Sequence, residues 1–123
     1  MSERGPRFGL RSAPWPLAAA LTLATTSFAG AARAADDAAQ LALGKALFTK
    51  NATPPCALCH TLKDAGTSGA IGPVFDELQP DAARVAAALR SGIGAMPSYK
   101  ATLNDEQIEA LARYVSAASG GAK

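Results

Sequence analysis

Two thiols and an imidazole stand together at Cys56-Ala57-Leu58-Cys59-His60, the densest run of reactive side chains in the sequence. Thiols three positions apart, with a histidine directly after the second, form the attachment pattern for a c-type haem. Each sulfur adds across one vinyl group of the porphyrin, so the two must reach neighbouring corners of the ring. One helical turn between Cys56 and Cys59 suits that reach, and His60 is placed to present its ring to the iron. Other chemistries fit these five residues less well. A thioredoxin-like dithiol needs a βαβ setting, whereas the flanks here are rich in Ala and Pro with no strand run. A disulfide closing so small a loop would stabilise little. A structural zinc wants four N or S ligands, and Cys56, Cys59 and His60 are the only Cys and His residues in the chain.

The same inventory bears on the other side of the iron. With one histidine in the sequence, a bis-histidine haem within one chain is impossible. The methionines are Met1 and Met96, so loss of Met1 leaves Met96 as the one thioether. The sixth position is then Met96, a weaker oxygen or amine donor, or empty; Met96 is favoured. It precedes Pro97 and follows Gly92, Gly94 and Ala95, a non-helical loop of little bulk and a poor place for a core filler, although Met often fills gaps. Pro73, in Ile71-Gly72-Pro73, offers a carbonyl that could accept a bond from the far nitrogen of a ligating His, fixing the ring and raising its basicity. An ordinary turn proline is the competing reading.

The N-terminal stretch decides compartment and charge. Met1–Arg11 carries Arg4, Arg7 and Arg11 against Glu3, Leu17–Phe28 is mostly Ala and Leu, and Ala32-Arg33-Ala34 is a small-x-small cleavage pattern. These are the parts of a secretory signal peptide in order, predicting a leader over 1–34 and a domain over 35–123. The apolar run is short for a membrane span, Pro14, Pro16 and Arg33 crowd its ends, and no Arg-Arg pair signals twin-arginine export. The expected location is the periplasm, with no membrane span after cleavage. The formal charge of +2 belongs to the leader: the 89 residues from Ala35 onward hold eight bases and nine acids, a balance of −1. Nothing in that balance suggests nucleic acid as a partner.

One all-α domain is expected to position these groups. Asp36 and Asp37 precede a first helix over Ala38–Lys50, with Leu41, Gly44 and Phe48 on one stripe. Gly44 within a helix costs about 1 kcal/mol relative to Ala, and such a residue marks close approach of another helix. Pro54 and Pro55 stop the helix and lead the chain extended into the Cys56 turn. A turn-rich loop follows His60 as far as Ala70. Val74, Phe75 and Leu78 suggest a short helical turn, and Pro80 starts a further helix with Asp81 in its first turn and Val85, Ala86 and Leu89 on one face. Gly92 and Gly94 end it. The last helix has Asn104 as N-cap, Gln107 three residues on, and Leu103 and Ile108 as a hydrophobic staple. Its apolar face is Ile108, Leu111, Ala112 and Val115, and Gly120 and Gly121 close it. A domain of about 90 residues has a marginal core of its own, so the haem-free chain is expected to be largely unfolded.

Taken together these residues resemble a small class I cytochrome c of bacterial type over nearly all of Asp36–Ser119. The resemblance rests on Gly44-x-x-x-Phe48, Cys56-x-x-Cys59-His60, Gly72-Pro73, Met96-Pro97 and Leu111-x-x-Tyr114. It implies a cytochrome c fold, short helices wrapped around one covalent haem c, with the first and last helices crossing at Gly44. It further implies His60 and Met96 as iron ligands, Cys56 and Cys59 as thioether anchors, and Pro73 as the carbonyl acceptor. Phe75 stands where many relatives have Leu, and the tryptophan of mitochondrial relatives is absent from the domain. The run Cys56–Tyr99 is also similar to cytochrome subunits that accompany periplasmic molybdenum sulfite dehydrogenases.

The function expected is that of an electron carrier, not an enzyme: a periplasmic monohaem cytochrome passing single electrons from a dehydrogenase donor to an oxidase or another cytochrome. Lys50, Lys63 and Lys100 are candidates for guiding such partners. The alternative is a dedicated electron-accepting subunit of a periplasmic dehydrogenase such as a molybdenum sulfite dehydrogenase. An enzyme or gas sensor with an open sixth position would bind CO readily, and peroxidase chemistry would want a distal acid–base group that no second His supplies.

Overall fold

The computed structural model describes Gly5, Gly9 and residues 26–122. Most of the expected leader, including its basic stretch and its apolar run up to Thr25, lies outside the described residues apart from those two glycines. Among the described residues the elements are α1 (Thr26–Ala46), α2 (Phe75–Leu78), α3 (Ala82–Ser91) and α4 (Asp105–Ser119), with a two-stranded ribbon of β1 (Thr61–Leu62) and β2 (Thr67–Ser68). None of these helices is long and apolar enough to cross a membrane.

The first helix departs from expectation at its start. It is already helical at Thr26, the first described residue of this stretch, rather than from Ala38, so Asp36 and Asp37 lie within it and not at its positive end. Alanine is the best helix former, and the Ala-rich run before Asp36 carries the helix upstream. Residues 30–39 are all exposed, so this part of the helix rests on propensity and not on packing. Its end agrees with expectation: a wider π turn over Leu47–Asn51 finishes it, and the Ala52 N–H donates to the Leu47 carbonyl at 3.1 Å. The buried stripe is Gly44, Leu47 and Phe48, with Leu43 beside it; Leu41, expected on that stripe, is exposed.

The crossing of α1 on α4 is the frame of the molecule. A Cβ built at Gly44 would collide with the Ala110 carbonyl and Tyr114 Cβ, so the two backbones meet at a distance only a glycine allows. Tyr114 continues the contact into the core, edge-on to Phe48 at 6.0 Å between ring centres. From that crossing Leu111 and Val115 of α4 bury against Val85, Ala86 and Leu89 of α3. The N-terminus of α4 carries the full capping box: Gln107 N–H donates to Asn104 Oδ1 at 2.8 Å and Asn104 N–H to Gln107 Oε1 at 3.0 Å. Leu103 and Ile108 are both buried beside it.

Two smaller expectations shift. Asp81 is the N-cap of α3 rather than a residue of its first turn, because its carboxylate accepts the Arg84 N–H at 2.7 Å. The loop after His60 is partly ordered as the ribbon, with Thr61 opposite Ser68 and Leu62 opposite Thr67 across a turn at Lys63–Gly66.

Candidate functional site

The Pro54-Pro55 pair delivers the chain into a single 3-10 turn over Cys56–Leu58. There the Cys56 carbonyl accepts both the Cys59 N–H (3.1 Å) and the His60 N–H (2.9 Å). That double acceptance sets the thiols one turn apart and turns His60 inward, where it is 7% exposed. Cys56 and Cys59 are half-buried separate thiols, not a disulfide. Burial pushes the Cys56 thiol up to about 11. A dithiol oxidoreductase needs the opposite, a nucleophile with a lowered value.

His60 is fixed from three directions. Its Nδ1–H donates to the Pro73 carbonyl at 2.9 Å, which assigns the tautomer and leaves the Nε2 lone pair for an electrophile or metal. The Pro73 segment is itself tethered: the Cys59 carbonyl accepts the Ile71 N–H at 3.1 Å and the Gly72 N–H at 2.7 Å. Phe75 lies against the imidazole face, 4.3 Å between centres and 16° between planes, and is edge-on to Phe48 at 6.1 Å. Gly72 lies against the ring as well, and a Cβ there would collide with Cε1. Behind the backbone, Thr67 Oγ1 donates to the His60 carbonyl (2.9 Å) and accepts the Leu62 N–H (3.0 Å), so the ribbon braces the histidine.

Met96 faces the same space from a different element. Ile93 and Met96 bond to each other through both N–H groups, at 3.1 and 3.0 Å, closing a tight turn directly after α3. Gly92 enters that turn with φ of +70°, which an L side chain resists. The loop returns to α3 through the Ser98 hydroxyl on the Arg90 carbonyl (2.6 Å) and the Tyr99 N–H on the Leu89 carbonyl (2.7 Å). Arg90 then reaches α4, with Asp105 at 3.1 Å and Glu109 at 2.9 Å.

Between these two constructions lies a cleft of about 710 Å³ counted to its mouth. All five residues singled out from the sequence, Cys56, Cys59, His60, Pro73 and Met96, line it. A second, apolar void of about 240 Å³ lies deeper, against Phe48, Phe75 and Leu111, and shares Cys56, His60 and Met96 with the first. At the rim Ile71 and Ile93 are 75% and 69% exposed, and Leu58, which lies between the two thiols in sequence, is exposed as well. Lys50, Lys63 and Lys100 are exposed, and none of them lines the cleft. The fit to a porphyrin is direct in its chemistry. Two unpaired thiols stand at one edge of an apolar slot, an imidazole with one nitrogen spoken for stands on one wall, and a thioether lines the same slot.

Sequence reasoning passed over Tyr99 and left the packing of Phe75 open. Tyr99 is buried and lines the cleft, its O–H donates to the Pro54 carbonyl at 2.7 Å, and burial pushes its phenol up to about 12. An aromatic three residues after Met96 was the available signal. Across the α1–α4 crossing, the Tyr114 O–H donates to Asp64 Oδ2 at 2.6 Å and Lys45 Nζ bonds the same oxygen at 3.0 Å. These two bonds, the tyrosine's first, hold the Asp64 carboxyl below its ordinary value.

Comparison with known proteins gives two findings. Residues 39–115 match the family described as cytochrome C oxidase, cbb3-type, subunit III. Among solved structures, the c-type cytochrome SorU from Sinorhizobium meliloti is 53% identical, with a TM-score of 0.64 over 66% of this chain and 92% of that one. No curated protein matches the sequence.

Proposed function

The chain belongs to the small class I c-type cytochromes, electron-transfer proteins with covalently bound haem c, and from that premise we propose a periplasmic one-electron carrier with His60 and Met96 as axial ligands. Cys56 and Cys59 are the thioether anchors in this reading, and Pro73 orients the proximal imidazole. When bound, haem c supplies a one-electron iron couple; a thioether on the sixth position favours the reduced state. The observation that carries the reading is the bond from His60 Nδ1 to the Pro73 carbonyl, with Met96 lining the same cleft. That bond commits one ring nitrogen to the backbone and holds the other ready for a metal. Were His60 and Met96 both to hold the haem, no substrate would have a place to coordinate, and the chain's task would reduce to binding partners and passing electrons. The exposed Ile71 and Ile93 give a partner an apolar contact at the mouth of the cleft, and Lys50, Lys63 and Lys100 supply positive charge for encounter with acidic donors or acceptors.

Export and cleavage after Ala34 or Ala35 belong to the same proposal. The uniform exposure of residues 30–39 supports it, since removing the start of α1 takes away no packed side chain there.

A second reading keeps the chemistry and assigns a station: the electron-accepting subunit of a periplasmic dehydrogenase, of which a molybdenum sulfite dehydrogenase is the named candidate. The likeness of Cys56–Tyr99 to such subunits, together with 53% identity to SorU over most of that chain's length, favours it. Co-purification with a molybdenum protein supports this station, and a monomer that elutes alone from its native extract opposes it.

Optical spectra of the exported protein, oxidised and reduced, test the core proposal. A low-spin spectrum with a weak near-red band that is lost in Met96→Ala is expected. Colourless protein after correct secretion refutes haem attachment, and an unchanged spectrum in Met96→Ala refutes the distal ligand.

A further inference from the structure

We propose that Tyr99 is a positioning residue for the sixth-ligand loop, its phenol strapping the Met96 turn to the backbone just ahead of Cys56; this rests on the reading of Met96 as an axial ligand. The two walls of the cleft come from separate parts of the chain. One is the Cys56–His60 turn with the Pro73 segment tied to it through the Cys59 carbonyl. The other is the Ile93–Met96 turn, tied to α3 by Ser98 and by the Tyr99 N–H. Among the hydrogen bonds of the described residues, the one that runs from this loop to the thiol-bearing turn is Tyr99 O–H to the Pro54 carbonyl, 2.7 Å, across 45 positions of sequence.

The strap closes a circuit. Met96 is three residues from Tyr99, Tyr99 reaches Pro54, Pro54 leads through Pro55 into Cys56, and the Cys56 carbonyl holds His60. The spacing between thioether and imidazole is thereby referred to one continuous chain of bonds, rather than to apolar contact alone. Tyr99 can act as such a link because it is fixed at both ends. Its N–H is on Leu89, its O–H is on Pro54, and the ring between them is 4% exposed. A phenol offers apolar area and a single directed donor at once, and a buried hydroxyl of this kind needs its partner.

The test follows from an asymmetry in burial. Pro54 is exposed, so water can satisfy its carbonyl when the phenol is removed. Tyr99→Phe keeps the ring and its packing, which confines the change to the loop. The measurement is titration of the ferric holoprotein with imidazole, read by loss of the near-red band, alongside a thermal melt. Imidazole competes with Met96 for the sixth position, so a loop no longer held to the thiol-bearing turn gives way to it more readily, whereas the tie to α3 does not set the distance between Met96 and His60. An increase in apparent imidazole affinity of about two- to tenfold, the factor set by one lost hydrogen bond, is expected in Tyr99→Phe with a melting temperature close to wild type. Ser98→Ala, which loosens the loop from α3 but not from the opposite wall, is expected to bind imidazole as the wild type does. Unchanged affinity in Tyr99→Phe overturns the proposal. So does an equal rise in both variants, or a Tyr99→Phe protein that fails to accumulate in coloured form, since either shows a merely structural role. Absence of the near-red band from the wild type refutes Met96 ligation itself and takes the strap with it, a result distinct from the others.

Discussion

Gly72→Ala tests how the imidazole is held. The position carries an ordinary negative-φ backbone, so alanine is conformationally acceptable and the whole effect is steric. A Cβ there would lie 2.6 Å from His60 Nδ1 and 2.9 Å from Nε2, and closer still to Cε1, where ordinary contact is 3.4–4 Å. The ring cannot retreat freely: Phe75 stacks on it at 4.3 Å, and Nδ1 is bonded to Pro73 at 2.9 Å. Overpacking of this sort costs about 1–3 kcal/mol. Displacing the ring also breaks the Pro73 bond, a further loss of about 0.5–1.5 kcal/mol. The sum is about 1.5–4.5 kcal/mol. For a domain of this size it lowers the melting temperature by about 6 °C or more. The assay is a far-UV circular dichroism melt of the exported holoprotein, paired with its optical spectrum, because a displaced imidazole also disturbs the low-spin signature. Gly66→Ala is the control. Its φ is +65° with nothing within 4 Å of the added carbon, so it carries backbone strain of about 1–2 kcal/mol and leaves the spectrum alone. A Gly72→Ala protein that melts within about 2 °C of wild type with an unchanged spectrum refutes the idea that this glycine makes room for the ring.

Three further outcomes are expected. The Cys56→Ala, Cys59→Ala double variant loses the covalent plate on which the domain closes, and circular dichroism should show little cooperatively melting helix; a native-like melt counts against that. Asp64, whose folded carboxyl value is held low by Tyr114 and then Lys45, stabilises above the unfolded carboxylate value and stops doing so as pH falls through the lower folded one. Melting temperature should therefore drop below about pH 4, and Asp64→Asn should flatten that slope; equal slopes in both proteins contradict the assignment. Mass spectrometry of the exported protein should give a chain starting at Ala35 or Asp36, and a retained leader overturns the cleavage site.

Local signals were readable in the sequence, and distant ones were not. Asn104 with Gln107, the Cys56–His60 motif and the Gly44 crossing each declare themselves within a few residues, and each appears where expected. The bond from His60 to the Pro73 carbonyl was legible because a buried imidazole needs an acceptor for its N–H and a proline segment lay within reach. Propensity misled at the start of α1: the anions at Asp36 and Asp37 look like a helix beginning, yet the alanines before them are better helix formers than any break between. Leu41 was placed on the core stripe by spacing alone. The stripe that packs is centred on Gly44, Leu47 and Phe48, leaving Leu41 beside Lys45 and Tyr114 at a surface groove. The ribbon Thr61–Ser68 has strands of two residues, too short for any period to show. Tyr99 and Pro54 are 45 positions apart, and no composition or spacing rule pairs a phenol with one particular backbone oxygen at that range.

The division of labour between helices and turns explains why so small a domain can keep its site in order. The helices α1, α3 and α4 share one apolar base, where contact is non-directional and a shifted side chain costs energy roughly in proportion to area. The residues that face the cleft sit instead on turns whose bonds are directional: the Cys56 and Cys59 carbonyls each accept two N–H groups, and Ile93 and Met96 bond each other twice. A hydrogen bond weakens steeply as its angle departs from alignment, so these turns resist rotation of His60 and Met96 far better than apolar packing would. The base can therefore breathe without redirecting either side chain. Phe75 and Tyr99 are where the two systems meet, each with a ring in the apolar base and an edge on a turn. Substitutions at those two positions should thus disturb the placement of His60 and Met96 out of proportion to their effect on stability, whereas equal losses of area at Val115 or Leu111 should do the reverse.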